Sequence, residues 1–276
     1  MKATYLRHMG TDLDVVNNAR VSFSKESEWE YHLNDAGVEL TAPTLCYLDK
    51  KLIQFLARGM PEGSLNRLVQ EIIDTNSMLQ FTEVKQALLA FRKTPIHWAP
   101  FANGTNITFH IKAPIPIMRQ MFKHKVGSVE SEISRRYVDD APEFFEPEWR
   151  HAAENVKQGS AGPHDMLGES TLCGFTGEHY RPDLAQQYRD YLEHGKALYG
   201  LLVKSDVCPE QARFLLPQAM YSEAIITHSL YGWANVYNQR TDPHAQLEVQ
   251  QLARMIGEQI EPLYPVSWKA LTAPLD

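Results

Sequence analysis

Residues Ile107-Thr108-Phe109-His110-Ile111-Lys112 alternate apolar and polar side chains with period two, which predicts a strand with one buried face. Pro114 and Pro116 follow and should end sheet pairing, while Ile115, Ile117 and Met118 carry the chain back inside. Upstream, residues 2–8 read as a short first strand and 12–20 as a short helix. The stretch 24–42 is polar and irregular. Helical patterns follow at 44–57, stopping at Gly59, at 64–74 behind an N-cap serine, and at 82–93 behind Thr82. Residues 118–125 are left as a segment whose side-chain stacking depends on whether it is helical.

The C-terminal part reads as helices throughout. One starts near Pro182 and runs to about Lys204, a second has Pro209 at its first position, and 218–239 is long and aromatic. Asp242 and Pro243 fit the cap and first position of a last helix that runs to about Ile260 and is ended by Pro262. Residues 139–180 are rich in Pro, Gly, Ser and charge. A loop of that length is functional, mobile or a linker. The segments on either side serve one site, so the expected organisation is one catalytic domain, 1–276, with a loop excursion at about 139–180.

Composition changes this picture little. Apolar residues make up 43% and charged residues 22% of 276, as in an ordinary globular protein with a substantial core. Cys46, Cys173 and Cys208 are odd in number and widely spaced, which argues against a disulfide framework and fits a reducing compartment. No Cys-x-x-Cys or His-Glu-x-x-His pattern occurs, so no metal site is expected. The N-terminus lacks the apolar core of a signal peptide and no run approaches a membrane span. The expected location is the cytoplasm.

Charge changes it more. The net charge is −7, yet Arg119, Lys123, His124, Lys125, Arg135 and Arg136 fall within nineteen residues, with Ser128, Ser131, Ser134, Glu130 and Glu132 among them. On a helix, Arg119 would stack on Lys123 and Gln120 on His124. Such a set of donors, anchored between apolar segments, suits one or two ligands that carry phosphate. The alternative is a solvated basic helix. A nucleic-acid-binding module, with Tyr137 stacking on a base, is a further reading, against which the acidic net charge counts. Two more arginines stand out. Arg213 lies in the apolar run Ala212-Arg213-Phe214-Leu215-Leu216-Pro217 and needs an anionic or carbonyl partner. Arg240 sits at a helix-to-helix turn before His244-Ala245-Gln246-Leu247-Glu248.

The order strand, Pro-Ile-Pro, Arg119-Gln120, Lys123-His124-Lys125, Ser134-Arg135-Arg136-Tyr137 resembles the signature of the flavin-dependent thymidylate synthases. Ala212-Arg213, Leu216-Pro217, Arg240 and His244-Ala245-Gln246 resemble that family's second half. Ala19-Arg20-Val21-Ser22-Phe23 and His97-Trp98-Ala99-Pro100-Phe101 add weaker matches. Lys123 and Lys125 replace the usual arginines, and eight rather than seven residues separate Lys125 from Ser134, a form similar to a divergent, phage-like branch. Ala99, Ala102, Asn103, Ser229 and Tyr231 also depart from the common residues, so stacking on Tyr231 or Trp233 would have to help hold the flavin.

The resemblance implies an α+β fold with a twisted, mainly antiparallel sheet packed by helices. It also implies a homotetramer with active sites shared between subunits. The implied reaction is reductive methylation of dUMP to dTMP, with 5,10-methylenetetrahydrofolate as carbon donor and FAD, reduced by NADPH, as hydride source. By matching positions, Gln120, Ser134, Arg135, Arg136 and Arg213 would bind dUMP, and Arg240 would polarise its ring as the catalytic group. His97, Lys123, His124, Lys125, Glu132 and Asn235 would bind FAD. A same-fold enzyme making 5-hydroxymethyl-dUMP has the same requirements. Cys208, followed by Pro209 and Glu210, fails to match the nucleophile motif of the other thymidylate synthase family and is expected to be structural.

Overall fold

The computed structural model describes residues 1–31, 42–58, 69–70, 72–74, 80–84, 97–138, 140–154, 159–167 and 183–273. Most of the helices expected at 64–74 and 82–93, together with Pro182 and Cys173, lie outside the described residues. The main sheet has four strands in the order β1 (Lys2–His8), β2 (Asn106–Pro114), β6 (Tyr221–Ser229) and β3 (Ser128–Glu132), every neighbouring pair antiparallel. The fold is α+β, as expected. The alternation at 107–112 is the signature of β2, where Ile107, Phe109, Ile111 and Ala113 are fully buried.

Helices cover that buried face: α1 (Asp12–Arg20), α2 (Tyr47–Arg58), α6 (Leu230–Arg240), α7 (Leu247–Ile260) and α8 (Pro265–Thr272). Val15 and Val16 from α1, Ile53 from α2 and Leu252 and Ile256 from α7 meet β2 residues and Ile226 of β6 in one core. Trp233 of α6 is its largest side chain. It is fully buried, stands edge-on to Phe109 with ring centroids 5.2 Å apart, and donates its indole N–H to the Ile107 carbonyl at 2.9 Å. Asp12, also buried, accepts from the backbone N–H groups of Val266 and Ser267 at 2.8 and 2.9 Å. It thereby fastens the start of α8 to the start of α1.

Both central strands pass into helices without a loop. β2 ends at Pro114, which caps α3 (Ile115–Met121) with Pro116 in its first turn, where a missing N–H costs nothing. β6 ends at Ser229, whose hydroxyl caps α6 by accepting from the Gly232 N–H at 3.1 Å. Residues 218–239, expected to be one helix, are therefore a strand followed by a helix. Ser222, Ala224, Ile226 and His228 are buried on one side of β6, while Tyr221, Glu223, Ile225 and Thr227 face the other. The period is two, and the aromatic residues that suggested a helix belong mostly to α6.

Other boundaries also move. α3 stops at Met121, so Lys123 and His124 lie in the turn beyond it and the expected stacking of Arg119 on Lys123 and Gln120 on His124 does not form. α7 starts at Leu247, not at Pro243. Asp242 instead closes a turn by accepting from the His244 N–H at 2.8 Å. Asp183 caps α4 (Leu184–Lys204), accepting from Gln186 at 3.0 Å, and Pro209 opens the short α5 (Pro209–Ala212) as expected. Within 139–180, β4 (Arg150–Ala152) pairs with β5 (Ser160–Pro163) as a small hairpin.

Candidate active site

The two strand-to-helix joints bring the ends of α3 and α6 together. Arg240, the last residue of α6, donates from Nε to His124 Nε2 at 2.9 Å and from Nη2 to the Gln120 carbonyl at 3.1 Å. Burial lowers the His124 pKa from 6.5 to about 4, and the Arg240 charge adds to that fall. The ring is therefore neutral at pH 7 and free to accept at Nε2. Burial also lowers the Arg240 pKa, but a guanidinium remains charged throughout the working range. The result is a cation with a fixed plane, held by two acceptors and shielded from bulk water on one side.

Beside it lies a cleft of about 600 Å3 lined by Gln120, Arg240, the turn 243–247 and Gln250, with Arg150 and Gly159 to Ala161 of the hairpin forming a further wall. Arg150 is spent on structure. It donates to Ser160 Oγ at 2.7 Å, to the Glu148 carbonyl at 3.2 Å and to Glu248 Oε1 at 2.8 Å. Gln120 donates from Nε2 to Gln246 Oε1 at 2.8 Å.

The remaining expected residues form separate groups. Arg136 stands 3.7 Å from the Glu210 carboxylate and over the Tyr137 ring at 5.4 Å, while Arg213 donates to the Glu210 carbonyl at 3.2 Å. Glu210 thus touches both arginines; Arg213 has a carbonyl partner, but it is part-exposed beside the exposed Phe214 and not enclosed by the apolar run as expected. Ser134 closes the turn before Tyr137, and its Oγ accepts from the Arg136 N–H at 3.3 Å. Arg135 turns away and donates to the Asp140 carbonyl. Lys125 pairs with Glu130, whereas the exposed Lys123 side chain has no partner among the described residues. Glu132 accepts from the Ser222 hydroxyl. The half-buried Asn235 amide has no hydrogen-bond partner among the described residues.

His97 lies apart, in a second cleft of about 600 Å3 lined by Asn18, Phe23, Phe55, Trp98 and Asn103 among others. Its ring packs 5.7 Å from that of Phe55, and Trp98 packs 5.8 Å from Tyr231 at the start of α6. Both N-terminal stretches, 19–23 and 97–101, therefore meet in one place. Trp233, offered as a flavin-stacking ring, is instead sealed in the core. Tyr231 is half-buried beside the second cleft. Cys208 is exposed just before the short α5, and Cys46 Sγ accepts from the Asp49 N–H at 3.3 Å.

Three contributors escape the sequence reading: Arg150, Gln246 as partner of Gln120, and His228. Arg150 has no local signal, whereas Gln246 stands in a quoted motif without a role. His228 is buried on β6, and burial first, then the neighbouring His124, lowers its pKa to about 4. Between pH 6.5 and about 4 the unfolded chain takes up protons at His124 and His228 that the folded chain refuses. These rings therefore leave stability untouched above that window and reduce it as pH falls through it. For His228 the loss should reach about 2 kcal/mol near pH 5. Urea midpoints should fall from pH 7 to 5, and His228→Gln should flatten that fall. A midpoint that rises on acidification would contradict it.

Residues 4–266 match the family described as thymidylate synthase complementing protein. The chain is 31% identical over 216 residues to a flavin-dependent thymidylate synthase of Thermus thermophilus, covering 74% of each chain. It is 24% identical over 266 residues to that of Pseudothermotoga lettingae, covering 96% of this chain and 87% of the relative. Among solved structures, the UMP/dUMP methylase PolB from Streptomyces cacaoi superposes with a TM-score of 0.58 at 21% identity, over 99% of this chain and 94% of that one. The fold and the match along nearly the whole chain define a flavin-dependent, nucleotide-methylating class of enzyme. This chain belongs to the flavin-dependent thymidylate synthase family.

Among the described residues, no helix is long and apolar enough to cross a membrane.

Proposed function

We propose that the enzyme methylates dUMP reductively to dTMP, with FAD as its flavin, 5,10-methylenetetrahydrofolate as carbon donor and NADPH as reductant. The observation that carries this reading is Arg240, whose guanidinium is fixed by His124 and the Gln120 carbonyl on the wall of a nucleotide-sized cleft. C5 of uracil becomes nucleophilic only as negative charge develops on the ring. A fixed cation in a partly dry site stabilises that charge without reorganising. Arg240 is the catalytic residue of this reading, and the neutral His124 orients it. Ser134, Arg136 and Arg213 take the phosphate and sugar, with Arg136 exchanging Glu210 for phosphate, and Gln120 serves the same nucleotide.

The set of donors and acceptors present fits a flavin dinucleotide. Lys123, without a partner among the described residues, is a cation for the pyrophosphate, and Lys125 adds a second. Asn235 offers its amide, and His124, Glu132 and His97 complete the set. When bound, the flavin supplies the hydride. Because His97 lies in a different cleft from Gln120 and Arg240, one chain leaves these groups apart. A homotetramer that shares its sites between copies would unite them. The names of the relatives support the substrate class: the Thermus protein is a thymidylate synthase, and PolB is a UMP/dUMP methylase.

The test is the product. The full chain with FAD, NADPH and the folate should convert dUMP into a compound with the mass of dTMP. A hydroxymethylated mass would identify the alternative product, and a protein that takes up no FAD on titration would refute the cofactor reading. Arg136→Ala should raise KM for dUMP by about tenfold or more with kcat nearly kept, because it removes a contact made equally in ground and transition states.

A further inference from the structure

His228 stands on β6 opposite Ser128, the residue at which the turn carrying Lys123, His124 and Lys125 becomes β3. It is 1% exposed, and its ring packs against that of Trp233 with centroids 4.6 Å apart. Nδ1 is buried and completes no hydrogen bond among the described residues. A buried polar nitrogen left without a partner is costly, so the atom nearest to serving as one matters.

That atom is the Val126 carbonyl oxygen. A Cβ on Gly232 would meet His228 Nδ1 at 2.9 Å and the Val126 oxygen at 3.3 Å, so both border one spot that a glycine leaves open. The oxygen is close enough to favour a proton on the ring, although the hydrogen bond to Nδ1 is not fully formed. Burial, supported by the charges of His124 and Lys125, still keeps the ring neutral at pH 7. It therefore carries one N–H, and the nitrogen beside a carbonyl is the one that gains by carrying it. The turn has need of such a hold. Its backbone bonds, from the Lys123 N–H to the Gln120 carbonyl at 3.4 Å and from the Ser128 N–H to the Lys125 carbonyl at 3.3 Å, are long.

We infer that His228 is a positioning residue for the flavin: its Nδ1–H holds the Val126 carbonyl, and through it the turn that presents Lys123, His124 and Lys125 to the cofactor. This rests on the cofactor reading of that turn. Ordering a loop on binding costs affinity, so a turn placed beforehand binds more tightly. Lysines lack the fork of an arginine, which leaves their reach to be set by where the backbone puts them.

FAD titrations of the full chain and its variants, with urea midpoints alongside, test the inference. His228→Leu removes the donor and should weaken FAD by about tenfold. His228→Asn puts an amide N–H on the same carbon position as Nδ1 and should bring affinity back to within about threefold of wild type, even where its urea midpoint is as low as that of the leucine variant. Gly232→Ala drives a methyl between Nδ1 and the carbonyl and should weaken FAD by about fivefold with both partners still present. This variant carries the test if His228→Leu fails to fold. In the wild type, nitrogen–proton NMR should place the ring proton of His228 on Nδ1. A proton on Nε2 overturns the inference, as does FAD affinity in Gly232→Ala or a folded His228→Leu within about twofold of wild type, or an asparagine variant no better than leucine. Wild-type protein that binds FAD while the variants bind it equally well sinks only this assignment. Wild-type protein that takes up no FAD sinks the cofactor reading as well.

Discussion

Arg240→Ala should lower kcat by about 100- to 1000-fold while leaving KM for the nucleotide within a few-fold of wild type, as expected when a transition-state electrostatic contact is lost. The expectation follows from the way the side chain is held. Both of its observed hydrogen bonds go to neutral acceptors, the His124 ring and a backbone carbonyl, so its charge is not cancelled by a carboxylate there. That charge is available to the substrate. Arg240→Lys tests the geometry, because an ammonium keeps the charge but has no fork to span His124 and the Gln120 carbonyl. It should recover only a small part of the lost rate. Steady-state kinetics on both variants decide the matter, and a large rise in KM at unchanged kcat would make Arg240 a binding residue instead.

Arg150→Ala should destabilise the protein by about 3 to 5 kcal/mol, the usual cost of removing one partner from a buried ion pair. The side chains of Arg150 and Glu248 are 18% and 6% exposed. Glu248 Oε2 is already buried with no hydrogen-bond partner, so among the described residues Arg150 is the neighbour that compensates this carboxylate. Removing the guanidinium strands the charge and also removes the hydrogen bond to Ser160 that ties the two strands of the hairpin together. Arg150→Met combined with Glu248→Leu should restore most of the loss, since neither charge is then left inside. Urea unfolding of the three proteins measures this, and an unchanged midpoint in Arg150→Ala would show that the pair contributes nothing.

How legible each part is in the sequence follows from its physics. β2 can be read directly because its buried face is strictly apolar, from Ile107 to Ala113. β6 cannot. Its buried positions include Ser222 and His228, while exposed Ile225 sits on its other face, so the hydrophobic pattern blurs and the aromatic residues of α6 extend the apparent helix back into the strand. β3 is short, polar and at the sheet edge, with little side-chain signal for a strand. The turn between α3 and β3 passes through Gly127 at a φ of +67°, where a side chain would also press on the Ser229 hydroxyl at 3.2 Å. That reversal places Lys125 on Glu130 rather than on a helix face. The cluster of cations is visible as composition. Its sorting, with Arg240 on His124 and with Arg136 and Arg213 around Glu210, is not, because residues far apart in the chain decide it.

The pairing in the main sheet also constrains when the protein can fold during its own synthesis. β1 pairs Lys2 with Lys112, and β2 pairs Asn106 with Ser229, so both of these ladders join segments about a hundred or more residues apart. A nascent chain ending before Tyr221 has β1 and β2 but lacks the strand that lies between β2 and β3. Until then the outer side of β2 carries an unpaired row of backbone groups beside a strongly apolar face, the kind of edge that recruits other chains. Ladders of this span close slowly compared with local helices. A released chain truncated shortly before residue 221 should therefore partition to chaperones or aggregate, whereas one that extends past α6 has every strand of the sheet.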